Sequence, residues 1–406
     1  MGLTLQERRS VTRETRRKYR RVRRGEKTKI LDEFTGLTEY NRKYALQLLK
    51  GTLKARRGPP GVAGPRGPPR VYDPSMLAVL RRLWAVFGFM CGKRLSAAIR
   101  ANLALLEKFC ELRDVKPRTR ELLLRISPAT IDRLLAADRK RLRFRGRSHT
   151  RAGSLRRDQI PIRTFGEADQ KQPGYVEVDL VGHDGGSTSG DYAQTLTLTD
   201  VDTGWTEVAA VRNKAQKWVF PALQNLVSLL PFPLQGMNAD NGGEFININL
   251  ISWCAAQKVA FTRIRPYRKN DNPYVEQKNN VVVRSSVGYL RYEGASEVAM
   301  LNRIYALLRL QNNFLFPSMK LVEKTRAGAR VYRRYDVPTT PYQRVLNSPQ
   351  ISKARKAALR RQFQGINPVA LAREIGALQV QLEAKALRRQ RLVQDRRGPD
   401  IRAVAS

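Results

Sequence analysis

Between residues 174 and 181 the chain reads Gly-Tyr-Val-Glu-Val-Asp-Leu-Val. Side chains alternate along a strand, so this run predicts one with Glu177 and Asp179 on one face and Val176, Val178 and Leu180 on the other. Two further strands are expected at Tyr192–Thr199 and Trp205–Val211, joined by the turn-forming run Asp200-Val-Asp-Thr-Gly204. The apolar spacing then changes to that of helices and short strands: helix over 216–230, strand over 234–239, helix over 244–257, strand over 258–262, and a longer helix from near Pro273 past Tyr289. Ahead of this block the pattern is helical throughout. Thr28 to Lys50 reads as two helices broken at Gly36, with Thr38 capping the second; helix-turn-helix and plain helical hairpin fit it equally. Pro74 opens a helix through Leu77, Leu80, Leu83 and Trp84, and others follow over Leu95–Leu112 and Arg118–Ile126. Ser127-Pro128 starts one more, because serine caps and proline suits the first turn. Behind the block, a helix from Asn367-Pro368 carries Leu371, Ile375, Leu378 and Leu382 on one side, a face for intramolecular packing or for a partner helix.

Three antiparallel strands followed by helix, strand, helix, strand, helix is the order of an RNase H-like domain. The expected fold class is therefore an α/β core, a mixed five-stranded sheet with helices, preceded by all-α helix-turn-helix regions and followed by a mainly helical C-terminal extension. The expected organisation is a basic arm and first helix-turn-helix over 1–57, a Gly/Pro linker over 58–72, a second helical DNA-binding region over 73–138, a basic linker over 139–164, the core over 165–320 and a basic extension over 321–406. Residues 321–346, mixed and basic, read as an arm lying over the core.

Charge narrows the function. The 406 residues carry 76 Lys and Arg against 35 Asp and Glu, a net +41. Phosphate neutralisation on a nucleic acid accounts for such a surplus; a few solvated lysines do not. No uninterrupted apolar stretch has membrane-spanning length, and the Arg-rich amino terminus lacks a following apolar signal core. Three scattered cysteines and two histidines exclude a disulfide framework and argue against a zinc site. The chain reads as cytoplasmic and nucleoid-associated, with no membrane partner. Candidate DNA contacts are Arg133, Lys140, Arg141 and Arg143 on and after the Ser127 helix, a candidate recognition helix, and Arg268, Lys269, Lys278 and Arg284 around the third of the acids below.

Those acids are Asp179 in the first strand, Asp240 in Asn-Ala-Asp-Asn-Gly-Gly-Glu-Phe (238–245) and Glu276 in Asn-Asp-Asn-Pro-Tyr-Val-Glu-Gln-Lys-Asn-Asn (270–280). Sixty residues separate the first pair and 35 the second. Taken singly, each is accounted for by a strand end, a turn or a surface helix charge. On two strands and a helix start they can converge and hold two divalent cations, which suits in-line attack on phosphorus. Glu177 reads more as the partner of a base than as a metal ligand, and His183 more as a structural hydrogen bond than as a phosphate contact. Asp184, Glu244 and Asp271 read as turn or cap residues.

Together with Val-Glu-Val-Asp-Leu-Val-Gly-His (176–183) and Thr-Asp-Val-Asp-Thr-Gly-Trp (199–205), these motifs resemble the integrase-core transposases of bacterial insertion sequences, relatives of retroviral integrases. The resemblance covers about residues 165–320, and the 35-residue gap matches the family's Asp-Asp-Glu pattern. It implies a DNA strand-transfer enzyme with two Mg²⁺ or Mn²⁺ ions per site, catalytic and metal-binding roles for Asp179, Asp240 and Glu276, and a homo-multimer acting on double-stranded transposon ends and target. It leaves open a helper ATPase. A nuclease that only hydrolyses, and a DNA-binding regulator with an inactive core, are the rival readings. The zinc domain of retroviral integrases is absent, so recognition of the ends falls to the helical regions.

Overall fold

The computed structural model describes residues 3–52, 71–141, 172–239, 248–263, 273–327 and 329–397. The chain divides into two compact units, Met1–Val71 and Tyr72–Ser406.

The first unit holds α1 (Leu5–Arg21), α2 (Lys27–Thr38) and α3 (Arg42–Lys50). Thr4 and Glu7 form a reciprocal capping box that starts α1. Tyr19 of α1 packs with Ile30, Leu31, Phe34, Ala45 and Leu49, so the basic arm expected here is a helix folded onto its neighbours. The break expected at Gly36 lies three residues later. Thr38 is buried and donates to the Phe34 carbonyl at 2.6 Å, Glu39 takes a left-handed φ of 58°, and Asn41 rather than Thr38 caps α3. An internal glycine costs a helix only about 1 kcal/mol. Burial of Phe34, Ile30 and Leu31 outweighs that.

The second unit opens with α4 (Pro74–Val86), α5 (Gly92–Lys108), α6 (Pro117–Arg125), α7 (Pro128–Leu134) and α8 (Ala136–Arg141). Ser127 caps α7, accepting from Thr130 N at 3.2 Å, and Pro128 sits at its start as expected. α7 is fixed against α5: the Gly92 N–H donates to Asp132 Oδ1 at 2.8 Å, and a β-carbon at Gly92 would lie 2.2 Å from the Pro128 carbonyl oxygen. Only glycine permits that approach.

The sheet follows: β1 (Tyr175–Gly182), β2 (Gln194–Asp200), β3 (Thr206–Val211), then α9 (Gln216–Ser228), β4 (Gly236–Ala239), α10 (Ile248–Ala256) and β5 (Ala260–Arg263). Its order is β3-β2-β1-β4-β5. β1, β2 and β3 are antiparallel, whereas β4 and β5 run parallel to β1. Five strands in this mixed order form the RNase H-like core expected from the pattern. The turn between β2 and β3 works as its residues suggest: Asp200 accepts from Gly174 N, Thr203 N and Thr203 Oγ1 at 2.6–2.8 Å, and Gly204 takes φ of 72°.

After β5 come α11 (Pro273–Lys278), a π-helical segment (Asn279–Arg284) and α12 (Ser285–Val287). The long helix expected past Tyr289 ends at Gly288, whose φ of 68° stops it. α13 (Ala295–Leu310) packs on β3 and runs into a second π-helical segment, Gln311–Leu315. There follow β6 (Leu321–Ala327) and β7 (Arg330–Tyr335), an antiparallel ribbon separate from the main sheet, and then α14 (Pro341–Asn347), α15 (Lys353–Gln364) and α16 (Pro368–Arg397). Leu371, Ile375, Leu378 and Leu382 of α16 are buried in the same hydrophobic core as α4, α5, α13 and the sheet. Their stripe is filled within the chain. α16 thus clamps the leading helices to the sheet, aided by Asn102 Nδ2 donating to Leu315 O at 3.1 Å and Arg94 Nε to Pro317 O at 2.7 Å.

Candidate active site

Asp179 sits on β1, the central strand, paired across to Thr197 of β2 and half-buried. Its carboxylate accepts from the Leu180 N–H at 2.8 Å and from Asn279 Nδ2 at 2.6 Å. Asn279 follows directly on α11, the helix that carries Glu276. Glu276 occupies the position three residues earlier, a spacing that shares a helical face; its side chain lies outside the described residues. On the other flank of β1, the parallel register with β4 pairs Val178 with Ala239, the residues that immediately precede Asp179 and Asp240 in sequence. Asp240 itself lies outside the described residues.

Glu177, two residues before Asp179 on the same face of β1, is 2% exposed. It accepts from the Val275 N–H at 2.9 Å, in the first turn of α11. A carboxylate at that end satisfies an orphan backbone donor and meets the positive end of the helix dipole. Glu177 and Asn279 therefore hold α11 to β1 at two points. Neither role was legible in the sequence. The available signal was the alternation that puts Glu177 beside Asp179, together with the three-residue step from Glu276 to Asn279.

The basic candidates are placed differently from one another. Arg268, Lys269 and Arg143 lie outside the described residues. Arg133, Lys140 and Arg141 are exposed on α7 and α8. Their neighbour Arg139 turns inward, bonded to Asp132 at 2.9 Å and lying over the Trp84 ring. Arg284 is half-buried, donating to Gly182 O at 2.7 Å and stacking 4.8 Å from the Tyr289 ring centroid, so it holds the end of β1. Lys278 is half-buried, and desolvation, with Arg94 and Arg344 nearby, pushes its ammonium down to about 7. His183 is buried, with Nε2 2.7 Å from Thr195 Oγ1, which in turn lies 2.6 Å from the Tyr305 hydroxyl. It is a structural link, as its position suggested. Asp184 accepts from Gly186 N at 3.0 Å and shapes a turn.

Among the described residues no cluster of three His, Cys, Asp or Glu side chains forms a metal cage. The donor chemistry at Asp179 and Asn279 nevertheless suits a hard cation: a carboxylate and an amide oxygen. Asn279 Oδ1, buried beside that carboxylate, lacks a hydrogen-bond partner among the described residues, an oxygen with lone pairs to spare.

No family model matches the chain. Among solved structures it is similar to the catalytic core domain of BIV integrase (12% identity over 42% of this chain and 91% of that one, TM-score 0.27). It is also similar to a chain of the simian T-cell lymphotropic virus intasome solved with PP2A regulatory subunit B56 gamma (13%, 60% and 75%, TM-score 0.31). A third likeness is to the HTLV-2 integrase catalytic core domain in complex with magnesium (15%, 36% and 90%, TM-score 0.27). Strand order and pairing, rather than these scores, carry the fold. Among curated proteins, the uncharacterized protein y4rM of Sinorhizobium fredii is 44% identical over 329 residues, which span 80% of this chain and 91% of that protein. The chain belongs to the same family as y4rM.

Proposed function

We propose that this protein is a DNA transposase of the integrase type, which processes transposon 3′ ends and joins them to target DNA. The observation that carries the reading is the 2.6 Å bond from Asn279 to Asp179, which ties the helix of Glu276 to the central strand whose parallel neighbour leads into Asp240. Asp179, Asp240 and Glu276 would hold two Mg²⁺ or Mn²⁺ ions, which supply Lewis acidity at the nucleophile and at the leaving oxygen when bound. Asn279 orients the Asp179 carboxylate. Glu177 fixes the start of the Glu276 helix and keeps its own charge inside the protein, away from the anionic substrate. Exposed Arg133, Lys140 and Arg141, with Arg143, Arg268, Lys269 and Lys278, neutralise phosphates and hold the duplex. The strand-transfer reaction needs two ends brought together, so the active form is a homo-multimer in the bacterial cytoplasm.

Incubating the protein with pre-cleaved transposon ends, a target plasmid and Mg²⁺ tests this. Joined products are expected from the wild type, and Asp179→Asn or Glu276→Gln should abolish them while DNA binding persists. Shortened strands without joining would make the protein a nuclease. Binding without any strand chemistry would make it a regulator. Activity unchanged in either variant would remove that acid from the mechanism.

A further inference from the structure

The β6–β7 ribbon is exposed on both sides. Each residue of β7, Arg330 to Tyr335, is exposed, as are Leu321, Val322, Glu323, Thr325 and Arg326 on β6. It does not lie over the core as an arm would. A ribbon that packs on a core shows one apolar and one polar face; here both faces are mixed. The register puts Arg330, Tyr332 and Arg334 on one face and Val331, Arg333 and Tyr335 on the other. Tyr332 is 55% exposed. Arg334 is neutralised by Glu323 at 2.9 Å; among the described residues neither Arg330 nor Arg333 is in an ion pair.

The ribbon is nevertheless firmly rooted. Lys320 N donates to Asp336 Oδ1 at 2.6 Å, and Asp336 N to Lys320 O at 3.0 Å. Arg344 binds Asp336 at 2.9 Å, Lys320 pairs with Asp202 of the β2–β3 turn, and Ser318 bridges Thr339. A two-stranded ribbon is marginal by itself in water. One built on a fixed base, with cations and tyrosines displayed on both faces, is suited to entering something of opposite charge.

We infer that the β6–β7 ribbon is a duplex-DNA contact, gripping backbone phosphates through Arg330 and Arg333. A two-stranded ribbon fits the major groove of B-form DNA, so the shape agrees with the charge. Edge-to-edge pairing with a second copy would bring like arginine rows together, which disfavours that occupant. The inference rests on the reading of the protein as a DNA enzyme, but it concerns a surface separate from the three acids.

The test is binding of full-length protein to a fluorescent duplex of mixed sequence, in EDTA, across a salt series. The wild type is compared with Arg330→Gln/Arg333→Gln and with Glu323→Gln. Each phosphate contact contributes about 0.9 to the slope of log K against log salt. The double variant should therefore bind more weakly, with a slope shallower by about 1.8. Glu323→Gln, which frees Arg334, should steepen the slope by up to about 0.9. Thermal unfolding of all three proteins should coincide, because these side chains are solvated. A wild type that binds DNA with the same slope as the double variant overturns the ribbon's role and leaves the enzymatic reading standing. A wild type that binds no duplex overturns both. A double variant that sediments as a smaller species with its slope unchanged makes the ribbon an interface between copies, and that too overturns the inference.

Discussion

Acidification should loosen the end of the strand that carries Asp179, and the size of the effect follows from His183. Its ring is buried at 0% exposure, 5.3 Å from the Tyr292 ring, with Nε2 on Thr195 and Tyr305 beyond. Among the described residues Nδ1 has no hydrogen-bond partner. Burial, with the Arg284 charge adding to it, pushes the imidazole down to about 3. An unfolded histidine titrates near about 6.5. Between those values the unfolded chain takes a proton that the folded chain refuses, so stability is lost as pH falls. The slope is about 1.4 kcal/mol per unit, which amounts to about 2 kcal/mol between about pH 7.5 and about pH 5. Two buried acids act in the opposite sense. Asp200 is pushed up to about 6 and Glu207 up to about 7, each by burial. Both keep protons in the folded state that the unfolded chain would release, so their contribution grows as pH falls. The assay must therefore be a difference. Urea unfolding of wild type and His183→Gln, followed by tryptophan fluorescence, reports the second unit alone, because Trp84, Trp205, Trp218 and Trp253 all lie there. The advantage of wild type over the variant should shrink by about 2 kcal/mol over that pH range. A difference that stays flat would refute the burial argument.

Three further outcomes are expected. Asn279→Ala removes a hydrogen bond to a carboxylate, one of two ties between α11 and β1, so stability should fall by about 1.5–3 kcal/mol and, in protein still folded at the assay temperature, the strand-transfer rate by roughly 10- to 100-fold; an unchanged rate in the folded variant would show a structural role only. Arg309→Leu removes the cation beside Glu207, 1% exposed and also bonded by Trp205 Nε1, so the carboxyl takes up a proton in the fold and the variant should lose about 1–3 kcal/mol in urea unfolding, less at about pH 5 than at about pH 8. Gly92→Ala drives a β-carbon into the Pro128 carbonyl and should cost about 1–3 kcal/mol, seen first as faster hydrogen exchange over α7 and α8.

Much of the core was legible because its signals are local. Alternation marked β1, the Asp200–Gly204 run marked the hairpin, and Ser127-Pro128 marked α7, each by chemistry confined to a few residues. The helix break misread at Gly36 was settled by burial of Phe34 and Thr38, which depends on contacts distant in sequence. Arg139 and Arg284 look like surface cations in sequence but fold inward, since a guanidinium can satisfy backbone carbonyls and lie on an aromatic ring. The β6–β7 ribbon escaped notice because its two faces are alike, and without a polar and an apolar side a strand has no period-two signature. In the candidate site, Asp179 was found from its strand, whereas Glu177 and Asn279 became visible only when β1 and α11 were brought together.

The wide turn after α11 has a consequence for how this chain can diverge. In an α-helix, residues five apart point about 140° away from each other. In an i→i+5 turn they come much closer to one face. Asn279 and Arg284 are five apart and both reach β1, one at Asp179 and the other at Gly182. The extra residue accommodated there acts as a key cut to a strand three residues long between its notches. Losing one residue from that stretch would restore ordinary winding and turn one of the two teeth out of its lock, so drift in this lineage should alter side chains there far more readily than length.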